Sequence, residues 1–235
     1  MFANAGQEGD YLFESDGAGV AITGYIGLGG DVILPDHLND QPVTRIAYEA
    51  FAHLKTLTAV TLSVGVTEVE SHAFLDCTEL KSVSLPRSVS YLDPGAFLDC
   101  ARLTTIDVDI LNLDYSSQAG VLFDKASRVL FLCPPGKEGT YDVPSGVLTL
   151  AGSAFQGCQG LRQVTLPRSV TSIEGIGFSD CVVLGSLSVD ELNSAYSSAE
   201  GLLFNKQKTA YAITLGDWSS DVCSSDLNKR PSAEL

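Results

Sequence analysis

Basic residues are scarce in this chain: 14 Lys and Arg stand against 29 Asp and Glu, a formal net charge of −15. Phosphate recognition relies on clustered cations, so nucleic acid is not an expected partner. An anionic membrane surface is disfavoured on the same ground. No apolar run approaches the roughly 18–20 residues of a membrane span, so no membrane insertion is expected of this segment. The N-terminus lacks the basic and apolar regions of a signal peptide. Ala3-Asn4-Ala5 has the form of a signal-peptidase site, and residues 1–10 are expected to be a disordered or truncated leader. Catalytic signatures are also missing: the chain has no H-E-x-x-H, G-x-S-x-G or S-x-x-K. Its three histidines, His37, His53 and His72, share no common spacing, and no C-x-x-C pair offers metal-ligand spacing. Gly17-x-Gly19 and Gly27-x-Gly29-Gly30 precede strand-like segments rather than a helix, so they read as turns and not as a dinucleotide loop. The expectation is no catalytic residue, no metal and no cofactor.

What the chain does have is apolar material, 45% of residues with a mean hydropathy of +0.17, and it is arranged periodically. Ala50-Phe51, Ala73-Phe74, Ala96-Phe97 and Ala154-Phe155 recur, with Gly177-Phe178 as a variant. The spacing is 23 residues among Phe51, Phe74 and Phe97, and again between Phe155 and Phe178. Three residues beyond each Phe stand Leu54, Cys77, Cys100, Cys158 and Cys181; three further on stand Leu57, Leu80, Leu103, Leu161 and Leu184. Val60, Val83, Ile106, Val164 and Leu187 follow, each with an apolar residue two positions later. That alternation makes a short strand with one buried face, and Pro86 or Pro167 ends it because proline cannot donate to a ladder. One such coil cannot bury its apolar side alone, whereas stacked coils share a core. The fold class expected is a repeat solenoid, mainly β with short helical or turn arcs, in a single stack of coils.

A longer period overlies the first. Tyr115-Ser116-Ser117 and Gly120-Val121-Leu122-Phe123 return as Tyr196-Ser197-Ser198 and Gly201-Leu202-Leu203-Phe204, 81 residues on, the same shift as from Phe97 to Phe178. The organisation read from this is an entry region over 11–46, coils over 47–110, a hairpin-like excursion over 111–145 and coils over 146–205. The stretch Gly216 to Leu227, with the only tryptophan, Trp218, resembles the conceptual translation of a sequencing adapter, and Lys206 to Ile213 fits the same reading. Pro-Pro-Gly-Lys, due near residues 214–218 by the longer period, is absent. Residues 206–235 are therefore expected to carry no native function.

The pattern Ala-Phe-x-x-Cys-x-x-Leu-x-x-Val-x-Leu-Pro-x-Ser-Val resembles the BspA-like (Treponema-type) leucine-rich repeats of bacterial surface proteins. Ala21 to Tyr25 and Gln41 to Ile46 are similar to how such domains open, and the likeness spans about residues 11–205. Departures are Leu54 for Cys, Ser63 for Pro and Gly177 for Ala. The resemblance implies a single curved right-handed leucine-rich-repeat solenoid, cofactor-free and with one short strand per coil, placed outside the cell or on its surface. It implies adhesion or recognition of a protein or glycan, on a host or a neighbouring cell. A purely structural spacer is the alternative, and an enzyme with a site between coils a remote one.

Two groups of side chains remain to be placed. The column cysteines, Cys77, Cys100, Cys158 and Cys181, read as small buried hydrophobes; a disulfide between neighbouring coils would require facing side chains. The outward strand positions, beside Ala59, are Thr61, Ser82, Ser84, Thr105, Asp107, Gln163, Thr165, Ser186 and Ser188. Stacked in register, they would form a small, hydroxyl-rich face, which is the candidate binding surface.

Overall fold

The computed structural model describes residues 4–15, 17, 19–175, 177–199, 202–206 and 212–213. The chain opens with β1 (Asn4–Glu8), β2 (Tyr11–Ser15) and β3 (Val20–Tyr25). Then come β4 (Gly30–Ile33), β5 (His37–Leu38), β6 (Gln41–Ile46), β7 (Leu57–Thr61), β8 (Glu68–Val69), β9 (Ser82–Leu85), β10 (Tyr91–Leu92) and β11 (Thr105–Val108). A middle group holds β12 (Tyr115–Gln118), β13 (Val121–Asp124) and β14 (Val129–Leu132). It is followed by β15 (Glu138–Asp142), β16 (Thr149–Leu150), β17 (Gly160–Leu166), β18 (Ser172–Ile173) and β19 (Ser186–Val189). The last strands are β20 (Tyr196–Ala199), β21 (Leu202–Asn205) and β22 (Ala212–Ile213). The arcs between strands are turns, apart from one 3-10 turn at Pro94–Phe97.

Each coil contributes to two parallel ladders. One ladder runs β4, β7, β9, β11; the other runs β3, β6, β8, β10. The same division returns as β15, β17, β19 and as β14, β16, β18. The second strand of a coil is often only two residues long, too short for alternation to reveal it. Phe51, Phe74 and Phe97 stack along the axis at 5.1 and 5.4 Å between centroids, which sets the pitch of the core. The turns flanking these rings adopt left-handed backbone at two points in the coils of Phe51 and Phe74 and at one in that of Phe97. Glu49 and His72 supply one column, and His53, Asp76 and Asp99 supply the other. The two histidines therefore occupy different turn positions, which accounts for their unequal spacing.

Antiparallel meanders interrupt the coils. β1–β2–β3, β12–β13–β14 and β20–β21–β22 are three copies of one device. The leader expected to be disordered is partly ordered, since Asn4 to Glu8 pair along β2; its polar sequence gave no apolar period to read. The excursion expected over 111–145 is narrower, because Glu138–Asp142 already pairs in parallel with β17. The stack is also divided into a first body before β13 and a second body after it. Buried residues form two clusters, with Tyr115, Leu122 and Leu132 in the first and Val121, Phe123 and Leu130 in the second. Strand β13 is thus a partition buried on both faces.

Polar groups fasten this partition. Asn112 is fully buried; its amide donates to the carbonyls of Pro86 and Val89 at 3.0 and 2.8 Å, and its oxygen accepts from the Asp114 and Tyr115 amides. The Tyr115 hydroxyl accepts from the Leu92 amide at 3.2 Å and Ser117 Oγ from the Val108 amide at 3.1 Å, closing the open edges of β10 and β11. The Ile106 amide donates to the Gly120 carbonyl. These contacts recur 81 residues on, through Asn193, Tyr196 and Ser198. Lys206 repeats Lys125 as well: its amide donates to Ala195 as that of Lys125 does to Asp114, and its ammonium reaches the Asn193 carbonyl. Ile213 pairs with Leu203 as Leu132 pairs with Leu122. The repeat therefore runs past the expected boundary at residue 205. Residues 207–211 and 214–235, on which the adapter reading falls, lie outside the described residues.

Candidate functional site

The nine outward residues named from the pattern fall on two sheets rather than one face. In the first, the pairing aligns Asp31, Ala59, Ser82 and Thr105 in one row, and Ile33, Thr61, Ser84 and Asp107 in the next. In the second, it aligns Thr140, Gln163 and Ser186, then Asp142, Thr165 and Ser188. The meander stands between them. All nine are partly or fully exposed, while Val60, Val83, Ile106, Val164 and Leu187 beneath them are buried. Asp31, Ile33, Thr140 and Asp142 were missed because they lie in the entry and excursion regions, outside the Phe columns. One signal was present: Val32-Ile33-Leu34-Pro35 matches the apolar order of Val83-Ser84-Leu85-Pro86.

The hydroxyls of the two ladders are used differently. On the ladder of β3, β6, β8 and β10, Thr44, Thr67 and Ser90 each donate to a carbonyl of the preceding coil, those of Val20, Thr44 and Thr67. On the rows above, the hydroxyls of Thr61, Ser82, Ser84, Thr165, Ser186 and Ser188 bond to no protein group among the described residues, and that of Thr105 meets only its neighbour Thr104 at 3.5 Å. Asp31 accepts from Thr58 at 2.6 Å. The rows thus present free donors and acceptors on a rigid base.

Cys77, Cys100 and Cys158 of the cysteine column are buried and Cys181 is half-buried; all four are free thiols. Cys77, Cys100 and Cys181 donate to the carbonyls of Phe51, Phe74 and Phe155 at 3.0–3.1 Å, and Cys158 points at Cys133 and Pro134. Burial pushes the Cys181 thiol up to about 12, so thiolate chemistry is suppressed there. His53 Nδ1 lies 3.0 Å from the Asp76 carboxylate, and this hydrogen bond, with Lys55 beside it, lowers the Asp76 pKa. His72 Nδ1 lies 3.3 Å from the Tyr48 hydroxyl. Among the described residues, no three His, Cys, Asp or Glu side chains gather as a metal site.

Comparison with known proteins agrees with this architecture. The family model of the BspA type leucine rich repeat region matches residues 35–119 and 139–217 in six copies. No curated protein matches. Among solved structures, the chain is similar to the pneumococcal vaccine antigen PcpA, with 16% identity over 81% of this chain and 71% of that one, and a TM-score of 0.43. A Treponema pallidum leucine-rich-repeat protein shows 27% identity over 79% and 68%, with a TM-score of 0.45. A leucine-rich-repeat protein of Bacteroides ovatus shows 21% identity over 79% and 52%, with a TM-score of 0.49. The family match covers more than half of the sequence, on both sides of the internal meander, and the chain belongs to the BspA-type leucine-rich-repeat family.

Proposed function

We propose that this domain is a non-catalytic recognition module of a secreted or surface-displayed bacterial protein, gripping an extended protein or glycan partner across its two ladder faces. The observation that carries the reading is the set of in-register rows whose hydroxyls are left free, beside which, before the internal meander, a second ladder has hydroxyls that bond to the backbone. A row of small, unpaired polar groups spaced along a stiff sheet suits a partner that runs across the strands. Surface display rests on the family alone.

The test is adhesion of beads coated with the domain to cultured epithelial cells and to other bacteria. Ser84→Glu, Thr105→Glu and Gln163→Lys, combined, are expected to abolish adhesion while leaving the melting temperature in place. Adhesion that persists in the folded triple variant sinks the reading. No adhesion by either protein favours a structural spacer.

A further inference from the structure

A cavity of about 420 Å3 opens where β15 and β17 begin, lined by Glu138, Gly139, Gln159, Gly160, Arg162 and Val183. Its origin is visible in the register. One 81-residue period earlier, Glu79 and Arg102 stand at the places of Gly160 and Val183, and those two side chains pair across adjacent coils. In the second body that ion pair is gone; Glu138 lies against Gly160, and an opening remains between it, Arg162 and Val183. Glu138 and Arg162 face the opening, and neither makes an ion pair among the described residues. The volume lies within the roughly 300–1,000 Å3 of small-molecule sites. The opening adjoins Gln163, so it continues the second ladder face.

We infer that this cavity is a binding subsite for one pyranose unit of a neutral glycan. A carboxylate and a guanidinium on the same rim oppose each other's fields, so neither an anion nor a cation gains from entering. Both groups are planar and bidentate, one accepting and one donating, which matches adjacent hydroxyls on a sugar ring. The Gln159 amide adds a donor and an acceptor, and half-exposed Val183 gives an apolar wall for the C–H face of the ring. Gly160 is needed for this shape, because a Cβ there would stand 2.7 Å from Glu138 Cγ. Gln163 and Ser186 then lie in line for the next units of the chain.

This subsite rests on the recognition reading, but its decisive residues lie outside the nine row positions, so the two can fail separately. The experiment is saturation-transfer NMR on the whole chain with the methyl glycosides of glucose, galactose, mannose and N-acetylglucosamine, each added alone. Transfer to at least one glycoside is expected. Val183→Arg restores the side chain of the first body and fills the opening; Arg162→Ala removes the donor fork. Each is expected to weaken binding about tenfold or more, while Arg87→Ala, in the exposed turn after β9 and outside the rows, leaves it unchanged. No transfer to any of the four, or transfer that both variants retain, overturns the subsite. Transfer to glycylglycine in its place also overturns it, in favour of a peptide. Loss of bead adhesion in the row variant with no glycoside transfer would leave the faces standing without the cavity.

Discussion

In the first body Glu79 and Arg102 pair across neighbouring coils, and 81 residues on Gly160 and Val183 leave a cavity in their place. The interior shows no such divergence. Phe74, Cys77, Leu80 and Val83 are answered by Phe155, Cys158, Leu161 and Val164, all buried. The contrast separates two demands on one sequence. Inward positions are fixed by the need of each coil to share a close-packed core with the next. Outward positions carry no such constraint and differ between copies, so recognition chemistry is to be sought there.

The most severe way to break the comparison is a charge on each side of one strand. Ile106→Asp would bury an unpaired carboxylate under the sheet and is expected to cost on the order of 4 kcal/mol or more. Thr105→Asp, one residue away and facing solvent, is expected to cost less than about 0.5 kcal/mol. Urea denaturation of both variants checks this. A similar cost for the two would mean that the ladder does not separate core from surface.

Next in size are the asparagines of the two later meanders. Asn112→Ala removes a fully buried amide and strands two carbonyls and two backbone amides, an expected loss of roughly 2–4 kcal/mol. Asn193→Ala removes the same four bonds. Equal losses would show that both meanders act as one kind of junction. A much smaller loss at Asn193 would show that the second junction frays independently.

Alkaline titration sharpens the contrast between the entry meander and the coils. Burial, then Tyr25 and Asp10, raises the Tyr11 pKa from 10.0 to about 12. Its folded value lies above its unfolded one, so its contribution is complete below pH 10 and is lost as pH rises towards 12. Melting temperature is expected to fall across that window, and Tyr11→Phe to flatten the fall. Cys181, also held near 12, adds a loss that begins nearer its ordinary value of 9.0 and leaves part of the fall in the variant. A variant that melts with an unaltered pH profile would dissociate Tyr11 from the fall.

The sequence made the core legible because each inward column repeats five times, and it made the outward rows legible because strand alternation follows from the core. Asn4 to Glu8 were opaque for lack of an apolar period. The seals at Leu92 and Val108 were opaque because the pattern repeats Tyr115 and Ser117 without showing which edge they meet. The cavity was hidden for a related reason. It arises from side chains that are absent, between residues one coil apart, and no single column records it.

The mildest test returns to a departure that the pattern did show. Ser63 stands where Pro86 and Pro167 end the strands of other coils, and its hydroxyl is buried with no partner among the described residues. The local backbone is alike at all three: the Val66 amide donates to the Ser63 carbonyl as Val89 does to Pro86 and Val170 to Pro167. Leu62, before it, follows a strand, the extended conformation that a residue before proline prefers. Ser63→Pro would remove an unsatisfied polar atom and restrict the unfolded chain, stabilising the fold by roughly 1 kcal/mol. A rise in the urea midpoint with an unchanged slope is the expected result. A fall would mean that the first coil leaves its strand by a different path from the others, and that the register shared by the two bodies begins one coil later.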